Sequence, residues 1–147
     1  MRRESENQVR VISDLHFNHY KIIEYANRPF KNVEVMNESL IKFWNSVVSK
    51  TDIVYIIGDL GFGEKCRLVG LLQQLNGQKR LILGNHDKRN NFNHGNMRNG
   101  VQILGELYYM LFKDYDIIFI HDAGDLPNLI SEKIIQKVDF IICGHTH

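Results

Sequence analysis

Two hydrophobic periodicities alternate along this chain. Val9–Ser13 is a short apolar run that reads as a first strand, and Lys21–Ala26 reads as a short helical turn. Val33, Met36, Leu40, Phe43, Trp44 and Val47 then recur at three- and four-residue steps, which predicts an amphipathic helix from Val33 to Val48. Ile53–Ile57 is a second strand. A helix from Glu64 to Leu75 follows, stopped by the turn pair Asn76-Gly77. Arg80–Leu83 is a third strand, and the Asn- and Gly-rich stretch from Asn90 to Gly100 reads as loop. Tyr108–Phe112 and Ile117–Ile120, joined through Lys113 to Asp116, predict a β-hairpin. Ile130–Val138 predicts a helix and Phe140–Cys143 a last strand. The βαβ alternation implies an α/β fold with a largely parallel core and an antiparallel element late in the chain.

Length changes this picture little. The 147 residues suit a single domain, 1–147, that buries roughly 68–70% of its unfolded surface without staples. Eighteen basic and 17 acidic residues leave a net charge of +1, so no basic surplus points to nucleic acid. The longest apolar stretches are strand-length, which excludes a membrane span, and the polar start from Met1 to Gln8 lacks a leader's apolar stretch. A cytoplasmic protein is expected. Cys66 and Cys143 lie inside apolar patterns without CxxC spacing, which predicts reduced, buried thiols. Nothing in the sequence fixes an oligomeric state.

Chemistry enters with the placement of the polar clusters. Asp14-Leu-His16, Gly58-Asp59, Gly84-Asn-His-Asp87 and Gly144-His-Thr-His147 each follow a predicted strand, and His121 closes the hairpin. Side chains at the carboxyl ends of neighbouring strands converge, which is where open α/β sheets place their sites. His, Asp and Asn without thiolates suit hard or borderline divalent ions such as Mn, Fe, Zn, Ni or Co. One residue between two ligands can put both on the same side of an extended segment. Each cluster alone has an ordinary explanation in a loop, a cap or a turn; their joint occurrence at successive strand ends does not. His19, His94 and Cys66 read as surface or packing residues, and Cys143 as strand core.

The ordered set D-x-H, G-D, G-N-H-D, H, G-H-x-H resembles the calcineurin-like metallophosphoesterases, from Val11 to His147. The stretches Leu15-His-Phe-Asn-His, Asn27-Arg-Pro-Phe, Trp44-Asn-Ser-Val and Ile57-Gly-Asp-Leu-Gly-Phe-Gly are similar to short bacterial and phage members. The resemblance implies an α/β/β/α sandwich, short of its last strands if the fold ends at His147. It implies two divalent ions, the first held by Asp14, His16 and His147 and the second by Asn85, His121 and His145. Asp59 would bridge them together with a hydroxide. His86 would contact the phosphoryl group and protonate the leaving oxygen, with Asp87 holding its ring. Two such ions outweigh the Asp14 and Asp59 carboxylates and the hydroxide, so the centre attracts a phosphate ester. The neutral Asn85 amide preserves that charge.

The function implied is hydrolysis of a small phosphodiester or phosphomonoester. A non-catalytic binding module on the same fold is the alternative, and the presence of His86 with every ligand type favours the enzyme. Substrate contacts are expected from Asn85, His86 and Arg28. Asp122 and Asp125, just after His121, depart from the family pattern by bringing two further carboxylates close to the site.

Overall fold

The computed structural model describes residues 8–89 and 100–146. Parallel strands β1 (Val9–Ser13), β2 (Ile53–Ile57), β3 (Gln78–Ile82) and β4 (Val101–Gly105) form one sheet in that spatial order. β5 (Leu107–Phe112) and β6 (Tyr115–Ile120) form an antiparallel hairpin, and β7 (Phe140–Ile142) adds to β6 in parallel. The helices are α1 (Ile22–Tyr25), α2 (Val33–Val47), α3 (Lys65–Leu72), α4 (Asn85–Arg89), α5 (Leu126–Leu129) and α6 (Glu132–Ile135).

Side-chain alternation along β2 shows how the layers stack, because successive residues of a strand face opposite sides. Val54 and Ile56 join Trp44 and Val48 from the α2 end and Leu68 and Leu72 of α3 in one core. Tyr55 and Ile57 face the other way, onto Ile117 and Phe119 of β6. A third cluster on the outer side of β6 joins Ile118 and Ile120 to Leu126, with Ile130, Ile135 and Val138 against it. The result is helices, sheet, sheet, helices: the α/β/β/α sandwich. A strand covered on both faces must be apolar throughout, which is why β2 reads as an unbroken apolar run.

Local chemistry sets the boundaries. Asn32 caps α2, its side chain accepting a hydrogen bond from the Val35 amide at 2.9 Å. Trp44 donates its indole N–H to the Asn76 carbonyl at 2.9 Å, fastening α2 to the turn before β3. β3 starts at Gln78 rather than Arg80. Lys79 belongs to it because its buried ammonium donates to the Leu75 and Gly77 carbonyls at 2.6 and 3.0 Å.

Three expectations change. The helix expected over Ile130–Val138 is a single turn, α6, while Ile130 and Val138 lie outside it and pack on β6. β4 carries no strong apolar alternation and was not predicted. Both cysteines are free, as expected, but exposed rather than buried: Cys66 is on a solvent-facing turn of α3, and Cys143 follows the edge strand β7. The expected loop from Asn90 to Gly100 lies outside the described residues except for Gly100, and so does His94.

Candidate metal centre

All the polar clusters within the described residues sit where strands end. Asp14 and His16 follow β1, Asp59 follows β2, Asn85 to Asp87 open α4 after β3, His121 follows β6, and His145 follows β7. The backbone there is unusual. Asp14, His16, Asp59 and His145 have φ of 55, 54, 52 and 72°, in the left-handed region that L-residues rarely occupy. Such conformations persist only where surrounding structure over-determines them, and they gather at functional sites.

Asp59 Oδ2 is the focus of the cluster. The Nε2 atoms of His121, His16 and His86 lie 3.4, 3.6 and 3.8 Å from it. His16 Nε2 is also 3.8 Å from Asp14 Oδ1. His145 places Nδ1 3.3 Å from His121 Nε2 and donates its amide to Asp14 Oδ2 at 3.1 Å. Ligand atoms of Asp14, Asp59 and His121 all fall within 4.8 Å of one another. Close approach of the strand ends makes this possible. A Cβ on Gly58 would run into the His121 ring, and one on Gly144 would stand 2.6 Å from Asp14 Oδ2.

The electrostatics of this group favour cations. Burial raises the Asp59 carboxyl, but the hydrogen bond with His121, the His121 charge and the His86 amide outweigh it and hold it below the usual range. Asp14 behaves alike, with hydrogen bonds from His16, Ser13 and the His145 amide overcoming burial. Burial lowers the His121 imidazole, yet its hydrogen bonds to Asp59 and the Ile57 carbonyl and the charges of Asp59 and Asp14 push it up to about 9. Two ionised carboxylates thus draw positive charge into a mostly buried space. A set of carboxylate oxygens and imidazole nitrogens at this spacing fits divalent ions of the Mn-to-Zn group.

The remaining site residues divide. Asn85 lies on the exposed rim and lines a cleft of about 220 Å³ with His121, His145, Glu106, Asp122 and Asp125. Asp122 faces His145, Oδ2 to Nε2 at 3.6 Å, while its Oδ1 accepts the Gly124 amide at 2.8 Å and caps the 3-10 turn Ala123–Asp125. His147 lies outside the described residues.

Asp87 and Arg28 make main-chain contacts that the sequence did not indicate. Asp87 is fully buried, and its oxygens accept the amides of Asp59 (2.7 Å), Leu60 (2.9 Å) and Gly84 (2.9 Å). It therefore ties the end of β2 to the start of the α4 turn, and burial, assisted by the nearby Asp59 charge, pushes its pKa up to about 6. Arg28 aims both terminal nitrogens at the main chain beneath the site, at the Leu15 and Asp14 carbonyls (3.0 and 2.7 Å), where an anion contact was expected.

One neighbour of the cluster was read from the sequence only as surface or packing. His19 is half-buried beside the centre, with its Nδ1 3.2 Å from His16 Nδ1 and its ring 4.1 Å from that of Phe62. Burial, then His16, His86 and Arg28, push its pKa down to about 4. The three-residue step from His16 was the available signal; Asn18, at φ 62°, turns the chain so that the two rings meet.

A two-sheet sandwich thus carries a carboxylate–imidazole cluster at its strand ends. Residues 8–147 match the calcineurin-like phosphoesterase superfamily domain, and the chain belongs to that family. It is 40% identical over 148 residues to the uncharacterized protein MJ1445 of Methanocaldococcus jannaschii, covering 97% of this chain and 71% of that one. It is 38% identical over 104 residues to the Gene 66 protein of Mycobacterium phage L5, covering 69% of this chain and 47% of the phage protein. Among solved structures, the protein of unknown function AQ665 from Aquifex aeolicus superposes with a TM-score of 0.71 at 23% identity. That match covers 97% of this chain and 80% of the other, and it shows the shared fold. Family membership supports a phosphoesterase-type function. Among the described residues, no helix is long and apolar enough to cross a membrane.

Proposed function

We propose that this protein is a cytoplasmic metal-dependent phosphoesterase that hydrolyses a small phosphodiester or phosphomonoester with two divalent ions. The observation that carries the reading is the convergence of three imidazole Nε2 atoms on Asp59 Oδ2, at 3.4–3.8 Å, on strained strand ends. Asp14 and His16 would hold one ion, joined by His147. His121, His145 and Asn85 would hold the other, and Asp59, at the focus, would serve both.

Divalent ions bound there supply Lewis-acid polarisation of a phosphoryl oxygen and activation of water at neutral pH. The chain's own residues do the rest. Asp87 fixes the Asp59 and Leu60 amides and so sets where the Asp59 carboxylate points. The Ile57 carbonyl meets His121 Nδ1 at 2.9 Å, which leaves Nε2 facing the centre. His86 keeps 28% of its side chain exposed while its Nε2 faces Asp59, so it can reach both the cluster and an arriving ester. Its role is to hold the phosphoryl group and deliver a proton to the departing oxygen. With ions bound, a net positive centre beside an open rim suits a small anionic ester.

A panel of aryl phosphomonoesters, aryl phosphodiesters and cyclic nucleotides, assayed on metal-stripped protein with and without added Mn²⁺, tests the reading. Metal-restored turnover of at least one class, abolished by Asp59→Asn, is expected. Metal uptake without turnover of any ester would favour a binding module instead.

A further inference from the structure

We infer that His19 is a positioning residue for the metal centre: its Nδ1 accepts the Nδ1–H of His16 and so aims His16 Nε2 at the ion. The inference rests on the proposed metal centre and adds a residue to it.

The argument starts from the two nitrogens of the His16 ring. Nε2 faces Asp14 Oδ1 and Asp59 Oδ2 at 3.8 and 3.6 Å, on the side where a cation would sit. Nδ1 lies on the far side, 3.2 Å from His19 Nδ1. An imidazole that gives one lone pair to a metal keeps its proton on the other nitrogen, and that N–H needs an acceptor, usually a carboxylate or a carbonyl. With His16 at 2% exposure, water is a poor substitute. His19 can accept only as a neutral ring whose proton sits on Nε2. One contact thus assigns both tautomers.

His19 is built to hold that position. Its amide donates to the His16 carbonyl at 3.1 Å, and its carbonyl accepts the Ile22 amide at 3.2 Å, so the chain is fixed on both sides of the ring. Phe62 packs against the ring at 4.1 Å with planes 33° apart, and Phe62 is anchored by its own amide to the Phe17 carbonyl at 2.7 Å. A protonated His19 could not accept from His16 and would set a positive charge beside a cation site. A neutral acceptor spares the centre that charge, where a carboxylate in its place would add a negative one.

Two variants separate the acceptor from the packing. His19→Phe keeps a ring against Phe62 but removes the acceptor. His19→Asn loses the ring but places Oδ1 near the former Nδ1. Zn²⁺ affinity is measured by competition with a chelating dye, alongside thermal melts of the metal-free proteins. His19→Phe should bind the ion held by Asp14 and His16 roughly 10–100-fold less tightly than wild type, and His19→Asn should recover most of that loss. Equal affinities for all three proteins, or equal losses in both variants, would overturn the assignment. Histidine ¹⁵N spectra of the zinc-loaded wild type give a second readout. They should show His19 protonated on Nε2 and bare on Nδ1; a proton on His19 Nδ1 would refute the inference while leaving the metal centre standing. Failure of the wild type to bind zinc would overturn both.

Discussion

Gly58 is where the fold and the site press hardest on each other. Its φ of +74° is a left-handed conformation, and a Cβ there would run into the His121 ring and stand 2.9 Å from Gly84 Cα. Alanine at this position adds backbone strain of about 1–2 kcal/mol. It also adds an overpacking cost of about 1–3 kcal/mol, because neither a buried imidazole nor a glycine backbone can yield freely. The expected loss for Gly58→Ala is therefore about 2–5 kcal/mol, a large share of the roughly 5–15 kcal/mol that a domain has. Two glycines elsewhere calibrate the number. Gly63 shares the left-handed conformation, at φ +88°, but its nearest neighbour would be Asn18 Cβ at 4.0 Å, so Gly63→Ala should lose only the strain, about 1–2 kcal/mol. Gly70, inside α3, has nothing within 4 Å, and Gly70→Ala should gain about 0.5–1 kcal/mol. Urea unfolding of the three metal-free variants measures the series. Gly58→Ala should also bind metal less well, because His121 must move from the Ile57 carbonyl that orients it. Equal stabilities for Gly58→Ala and Gly63→Ala would show that the contact between strand ends is looser than described, and the reasoning would fail.

Other expectations concern separate parts of the molecule. Asp52 is held below the usual carboxylate range by hydrogen bonds from Arg10 Nε (2.8 Å) and the Ser49 hydroxyl (2.7 Å) and amide (3.1 Å). Its contribution is present above the unfolded value near 3.8 and fades as pH falls toward the folded one. Asp52→Asn should therefore cost more stability at pH 7 than at pH 3, with most of the cost still present at pH 3, measured by urea unfolding; an equal cost at both would refute the linkage. His86→Ala removes a mostly buried ring packed 4.8 Å from that of Phe62 and should cost about 0.5–3 kcal/mol of stability. It should leave metal content intact and lower kcat more for alkyl esters than for nitrophenyl esters. Equal losses for both would leave His86 as an electrostatic clamp rather than a general acid.

Much of this was legible because two-sided burial writes itself plainly into sequence. β2 is apolar throughout since both faces are covered, and α2 shows its three- and four-residue step because one face meets the sheet. The polar clusters were legible for a different reason: each follows a strand, and their ordered set resembles that of a known family. What stayed hidden depends on contacts made across the fold. β4 is short and interrupted by Gln102, so only its pairing with β3 marks it as a strand. The cysteines sit in apolar surroundings in sequence, but exposure is decided by which side of α3 and which edge of the second sheet each occupies. Asp87 reads as a partner for its neighbour His86, yet the turn at Gly84 points it inward to three backbone amides. His19 looked like packing because nothing in a sequence shows which nitrogen of one ring meets which nitrogen of another.

The proposed centre would gather two divalent ions around Asp59. Titrating Mn²⁺ into metal-stripped protein by isothermal calorimetry, with elemental analysis of the product, tests it most directly. Wild type should take up two ions per chain, Asn85→Ala should lose part of that capacity, and Asp59→Ala should lose more than Asn85→Ala. Uptake of no ions by the wild type, or an Asp59→Ala variant that binds as well as Asn85→Ala, would contradict the account.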